Sequence, residues 1–105
     1  MRRDVFQAIA DPRRRAIIQL LAISTLTLNA LAEHFEVSRP AISKHVKILD
    51  ECGLLNIEDK GRERYCTLKP EKLNDVSDWV DKYKKMWETR LDNLEKYLYE
   101  IQGKK

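Results

Sequence analysis

The chain has almost nothing with which to staple itself covalently. Its two cysteines, Cys52 and Cys66, are too few for a disulfide framework, so the fold must rest on packing. Three glycines and three prolines exclude a linker-rich chain, and each therefore marks a boundary. No apolar run approaches the roughly 20 residues of a bilayer-spanning helix. No apolar signal region opens the chain, so the expected location is the cytoplasm, with both thiols reduced. Neither sign of charge dominates. Twenty Lys and Arg against 17 Asp and Glu leave a formal net charge of +3, too small to establish a nucleic-acid partner by itself. No nucleophile–base pair, phosphate loop or metal cluster is visible, and the expectation is that the protein is not an enzyme and carries no cofactor.

What the chain does have is helical periodicity and many charges. At 105 residues it is long enough for one domain with one core. Asp4 to Ala10 reads as a short helix with Val5, Phe6 and Ile9 apolar. Asp11-Pro12 then starts a second helix, Asp as cap and Pro at the first position, with Ile17, Ile18, Leu20, Leu21 and Ile23 on its buried side. Arg13, Arg14 and Arg15 lie in its first turn, where the helix dipole disfavours cations, and this hints at an external anion. Ser24 to Thr27 reads as a loop. Thr27 can cap a third helix whose stripe is Leu28, Leu31, Ala32 and Phe35. After the tight Glu36-Val37 connection, Ser38 caps a fourth helix that tolerates Pro40 in its first turn and stops at Gly53. Two short helices joined by a tight turn form a helix-turn-helix pattern.

Leu54–Ile57 and Arg64–Leu68 are β-prone runs around the polar segment Glu58 to Glu63, which contains Gly61, and together they predict a hairpin. From Glu71 to about Ile101 one long helix is expected. Leu73, Val76, Val80, Tyr83, Trp87, Leu91, Leu94, Leu98 and Ile101 recur at steps of three or four, and Trp79, Met86 and Tyr97 widen the stripe. Thirty helical residues extend about 45 Å. A body of the remaining size cannot cover that length, so part of the stripe needs another partner.

The fourth helix carries the chemistry. At 100° per residue, Ile42, Val46 and Leu49 share one side, Arg39, Ser43 and Lys47 line the other, and Lys44 flanks them. A helix that reads DNA needs this division, one face on the domain and one offering donors to base edges and phosphates. Arg39 at the helix start has the fork to meet guanine N7 and O6 together, Ser43 can donate or accept, and Lys44 and Lys47 suit phosphate. The same amphipathicity also describes an ordinary solvated helix. The preceding helix, the tight turn and the following basic hairpin weigh against that.

Several stretches together resemble the ArsR family of bacterial winged helix-turn-helix regulators. Phe6-Gln7-Ala8-Ile9-Ala10-Asp11-Pro12-Arg13-Arg14-Arg15 is similar to the family's ALADPTRRxIL opening. Leu31-Ala32-Glu33-His34-Phe35 followed by Ser38-Arg39-Pro40-Ala41-Ile42-Ser43-Lys44-His45-Val46-Lys47-Ile48-Leu49 is similar to LAxxFxxSRPAVSKHLxxL. Gly53-Leu54-Leu55 and then Gly61-Arg62-Glu63-Arg64-Tyr65-Cys66-Thr67-Leu68 look like the wing, GRERxYxL. The tail, with Trp79, Tyr83, Trp87, Glu88, Arg90, Leu91, Leu94, Glu95 and Leu98, resembles the WxxxYxxxWExRLDxLExxL ending of one subgroup.

The resemblance implies a mainly α fold with a small β-hairpin wing (α+β), a winged helix-turn-helix over residues 1–70 and a long C-terminal dimerisation helix over 71–105 of the same domain. It implies a DNA-binding regulator, a repressor working as a homodimer on an inverted-repeat operator. The DNA-binding set is Ser38, Arg39, Pro40, Ser43, Lys44, Lys47 and, in the wing, Lys60, Arg62 and Arg64. The dimer set is Val5, Phe6, Ile9, Val76, Trp79, Val80, Tyr83, Trp87, Leu91 and Leu94. The other reading is a winged-helix interaction module with a coiled-coil arm. A small-molecule or protein effector stays open.

Departures from the family pattern bear on metals. The third helix has no cysteine where metal-sensing members carry a Cys-x-Cys-type motif, and the last helix has Asp75, Asp78, Asp81 and Asp92 but no histidine. Zinc-type sites favour Cys and His, so no metal is expected. Lone His34 reads as a surface or packing residue, His45 as core packing or a phosphate contact, and Cys52 as core. Cys66 is either a structural thiol or a redox sensor beside Arg64, and the first fits better. Trp79, Tyr83, Trp87 and Tyr97 suit an interface, where Trp and Tyr are enriched, and a ligand pocket is the alternative.

Overall fold

The computed structural model describes residues 4–103. Helix α1 (Val5–Ala8) is followed by α2 (Pro12–Ile23), a two-residue strand β1 (Leu26–Thr27), α3 (Leu28–Ala32), α4 (Arg39–Glu51), β2 (Leu55–Lys60), β3 (Glu63–Leu68), a single 3₁₀ turn Pro70–Lys72, and α5 (Leu73–Gly103). The chain divides into two units, Met1–Asn74 and Asp75–Lys105.

Local chemistry sets the helix starts. The Asp4 carboxylate accepts from Gln7 N at 2.9 Å, Asp11 from Arg13 N and Arg14 N at 2.8 and 3.1 Å, the Thr27 hydroxyl from Ala30 N at 3.0 Å and Ser38 Oγ from Ala41 N at 3.3 Å. Each satisfies an amide with no partner inside its own helix. Helix α4 ends at Gly53, whose φ is +78°. Gly53 N donates to Asp50 O and Leu54 N to Leu49 O, both at 3.0 Å. This is the paired 5→2 and 6→1 closure of a Schellman motif, and it turns the chain straight into Leu54 and β2.

The core of the first unit lies between the helices and the sheet. Ile17 and Leu21 of α2, Leu28 and Leu31 of α3, and Ile42, Val46 and Leu49 of α4 are buried with Leu54, Leu55 and Cys66. Each such aliphatic side chain contributes about 1.5–3 kcal/mol on burial. Val5 and Ala8 bring α1 into the same core.

Four sequence expectations change. The segment expected as a loop before α3 contains β1, and the sheet has three antiparallel strands in the order β1-β3-β2. Leu26 faces Cys66 and Thr27 faces Tyr65, a pairing too distant in sequence for local periodicity to reveal. Helix α3 ends at Ala32, before Phe35. His34 N bonds Leu31 O and Phe35 N bonds Ala32 O, tighter turns that end the α-helix early. The expected six-residue hairpin tip shrinks to Gly61-Arg62, because β2 runs on to Lys60 and Lys60 pairs with Glu63. Gly61 alone has positive φ there, +63°, as a two-residue tip of type II′ requires. Ile23 is 83% exposed at the end of α2, not buried.

One residue of the expected dimer set is also corrected. Val5 is only 4% exposed and belongs to the chain's own core, leaving it almost no surface for a second copy. Phe6, the next residue of α1, is exposed and Ile9 half-buried.

The second unit is helical from Asp75 to Gly103. Val76 is half-buried. Trp79, Val80, Tyr83, Trp87, Leu91 and Leu94 are all exposed, as are Met86, Tyr97, Leu98 and Ile101, giving one apolar stripe down the helix. Trp79 and Tyr83 rings meet at 4.9 Å between centroids, tilted by 57°.

Gly53→Ala tests the α4 terminus. A Cβ there would lie 3.4 Å from the flexible Lys72 side chain, so space is adaptable and the backbone dominates the cost. The left-handed conformation should destabilise the variant by about 1–2 kcal/mol. Urea unfolding should show a lower midpoint with an unchanged slope. An unchanged midpoint would remove this terminus from the account.

Candidate nucleic-acid interface

Burial of Ile42, Val46 and Leu49 fixes the rotation of α4 about its axis. Arg39, Pro40, Lys44 and Lys47 are thereby exposed, Ser43 is half-buried, and Ser38 is an exposed cap. The start of α4 borders an open groove of about 630 Å³. Arg39, Pro40 and Ser43 form one wall, Thr27, Leu28 and Asn29 of the α3 start another, and Asp59, Gly61, Arg62, Glu63 and Arg64 of the hairpin the third. Thr27 explains how these walls are joined, because it pairs with Tyr65 in the sheet while its hydroxyl caps α3. Thr25 Oγ1 and Thr67 Oγ1 reinforce that junction at 3.2 Å.

The structure brings Arg39, Pro40, Ser43, Arg62 and Arg64 to one groove and leaves Ser38, Lys44, Lys47 and Lys60 outside its lining. Strand alternation separates Lys60 from Arg64. Lys60 pairs with Glu63 and Glu58 with Tyr65, so these four share one face of the hairpin, while Arg64, Asp59 and buried Cys66 share the other. Lys60 Nζ lies 3.9 Å from Glu58 Oε2 and 5.6 Å from the Tyr65 ring centre. Tyr65 donates its hydroxyl to Glu63 at 3.1 Å, and that bond first, then the Glu63 charge, hold its phenol above the ordinary range. Arg64 Nε donates to Asp59 Oδ1 at 3.0 Å. Arg62, at the tip, makes no ion pair with any described residue.

The arginine triplet of α2 has a largely internal use that sequence reasoning missed. Arg14 donates through Nε to Ala8 O at 2.7 Å and through Nη2 to Gln7 O at 3.0 Å, and Arg15 donates to Ile9 O at 2.8 Å. These are carbonyls at the end of α1, where cations are favoured, and Gln7 O accepts from Ala10 N as well. The signal was the short spacing from the α1 end to the triplet. Arg13 remains exposed.

Arg14 Nη1 also lies 3.4 Å from His45 Nδ1 of α4. A guanidinium can only donate, so Nδ1 must accept and His45 is the neutral Nε2–H tautomer. Burial pushes the His45 pKa below its ordinary value; Arg14, Arg13 and Lys44 push the same way, and Asp11 opposes them. Burial pushes the Asp11 carboxyl up, but the Arg14 and Arg13 amides, His45 and the Arg14 charge outweigh it and hold it low. His34, exposed, donates Nδ1–H to Ala30 O at 2.9 Å.

Cys66 is fully buried, and burial, aided by Asp50 and opposed by Arg64, pushes its thiol up, away from the thiolate a redox sensor needs. Among the described residues no three His, Cys, Asp or Glu side chains gather as a metal site requires. No helix there is long and apolar enough to cross a membrane.

An amphipathic helix seated by its apolar edge, a second helix before it and a basic β-hairpin beside its start define a DNA-binding winged helix-turn-helix. The profile of the bacterial regulatory protein ArsR family matches residues 11–56. The chain is 39% identical over 77 residues to the transcriptional repressor SdpR of Bacillus subtilis, covering 73% of this chain and 86% of that one. It is 37% identical over 78 residues to the regulator Rv2034 of Mycobacterium tuberculosis, covering 74% and 73%. An ArsR-like regulator from Rhodococcus sp. RHA1 superposes with a TM-score of 0.74 at 30% identity, covering 88% of this chain and 84% of that one. The chain belongs to the ArsR family, and it is a DNA-binding transcription regulator, not an enzyme.

His45 gives this junction an acid signature. The unfolded chain takes up a proton near the ordinary histidine pKa of about 6.5, whereas the folded chain resists until lower pH. Stability therefore falls as pH drops from about 6.5 toward the folded pKa, and above about 6.5 the residue contributes no pH dependence. Comparing urea midpoints at neutral and mildly acidic pH, the parent should lose more stability than His45→Gln. Equal losses would place the acid sensitivity elsewhere.

Proposed function

We propose that the protein represses transcription as a homodimer, each subunit applying one α4 and one wing to half of an inverted repeat. The observation that carries this reading is the shared groove of Arg39, Ser43, Arg62 and Arg64. Arg39, at the helix start, meets guanine edges in the major groove, and Ser43 donates or accepts one turn later. Ser38 and Pro40 set the helix start, the first by capping Ala41 N and the second by its fixed backbone angle in the first turn. Lys44 and Lys47, outside the groove lining, take flanking phosphates. Arg62 leads the wing to the backbone or minor groove, with Arg64 behind it and Lys60 on the outer face. Residues 1–70 act as the DNA-binding part and 71–105 as the dimerisation helix. The repressor names of relatives such as SdpR support the direction of regulation. The cytoplasm is the working location.

A single α4 spans only a few base pairs, so useful specificity calls for two half-sites. The second copy is held through Phe6 and Ile9 of α1 and through Val76, Trp79, Val80, Tyr83, Trp87, Leu91 and Leu94 of α5. An exposed apolar stripe of this length favours association, and two-fold pairing is its commonest form.

The helix assignment is tested on a duplex that the parent selects from a randomised library, alongside mixed-sequence DNA. Arg39→Ala should cost about 1–3 kcal/mol on the selected duplex and relax preference at one position per half-site. Lys44→Ala should weaken all sequences alike and reduce the salt slope by about one. Parent-like binding by both variants would overturn the assignment.

The dimer is tested by sedimentation at micromolar concentration. The parent should run as a dimer. Replacing Tyr83 and Trp87 together with Ala should shift it toward monomer while circular dichroism stays mostly helical, and affinity for the selected duplex should fall sharply. A monomeric parent, or a dimeric variant with normal DNA binding, would refute this interface.

A further inference from the structure

The groove proposed for DNA contains two acids that such a surface does not need, Glu63, which accepts from the Tyr65 hydroxyl, and Asp59, which holds a cation of the groove itself. Asp59 lines it beside Arg62 and Arg64, where its carboxylate repels any phosphate that approaches. Asp59 is directly opposite Arg64 in the ladder, and its Oδ1 accepts from Arg64 Nε at 3.0 Å. The contact uses the inner nitrogen. No described residue binds the outer Nη pair, which stays available to a ligand. Both side chains are well exposed, 53% for Arg64 and 71% for Asp59. A pair this exposed adds little to folding stability, so its consequence lies at the groove.

We propose that Asp59 is a specificity-determining residue of the wing, holding Arg64 in one direction and opposing phosphate contacts that do not match it. This rests on the groove's being the DNA-facing surface. A selected duplex presents its phosphates in the register that the held guanidinium fits. Random duplexes dock in many registers and gain more from a cation free to swing and from a wall with one negative charge fewer. Asp59 thus weakens binding to all DNA, and weakens the wrong DNA more.

Asp59→Asn keeps the shape and removes the charge. Its urea midpoint should match the parent's. Affinity for mixed-sequence duplex should rise several-fold, its salt slope should steepen by about one, and the ratio of selected-duplex to mixed-sequence affinity should fall. In an Arg64→Ala background the same change should move that ratio much less, because Asp59 acts through Arg64. An unchanged ratio, or an equal change in both backgrounds, overturns the proposal. Arg39→Ala and Arg62→Ala separate the two readings. If both weaken binding while Asp59→Asn changes nothing, only the role of Asp59 fails. If neither weakens it, the DNA-facing assignment of the groove fails first.

Discussion

Everything that faces outward from α4 depends on what it buries. Ile42, Val46 and Leu49 lie on one edge at steps of four and three, and all three are closed off from solvent. Rotating the helix by one residue, about 100°, would expose part of this edge and bury charged groups in its place. The core thus chooses which residues meet a ligand, although none of the core residues can touch one. Ser38 and Gly53 then fix where the edge begins and ends, through a hydroxyl cap and a left-handed glycine.

Charge in this chain is informative only after its internal uses are subtracted. Arg14 and Arg15 are tied to the end of α1, Arg64 to Asp59 and Lys60 to Glu58. The cations exposed around the start of α4 and the hairpin tip, Arg39, Lys44, Lys47 and Arg62, are few. Their value comes from being carried on a rigid helix and a two-residue turn, not from number. This is why a net charge of +3 says so little.

Much of this was legible in the sequence. The caps at Asp11, Thr27 and Ser38, the α4 stop at Gly53 and the two faces of α4 follow from side-chain chemistry and spacing, which act locally. What escaped was non-local. Strand β1 exists only because β3 pairs with it, and two residues carry no periodicity of their own. The separation of Lys60 from Arg64 follows from a register that put the tip at Gly61-Arg62, whereas composition alone suggested a broader loop. Val5 looked like any other apolar residue of a short amphipathic helix, and only packing distinguishes it from Phe6.

The pairing of Thr27 with Tyr65 also orders events in time. Between them lie the whole of α3, α4 and β2, so the contact closes a long loop, and such closures come late because their entropy must be met before they gain anything. A chain that has formed α2, α3 and α4 but not this pairing already has its amphipathic helices, yet the wall made by the hairpin is missing. During synthesis, therefore, the groove comes into existence only after β3 has left the ribosome. Until then a nascent chain carries the exposed start of α4 without the hairpin wall beside it.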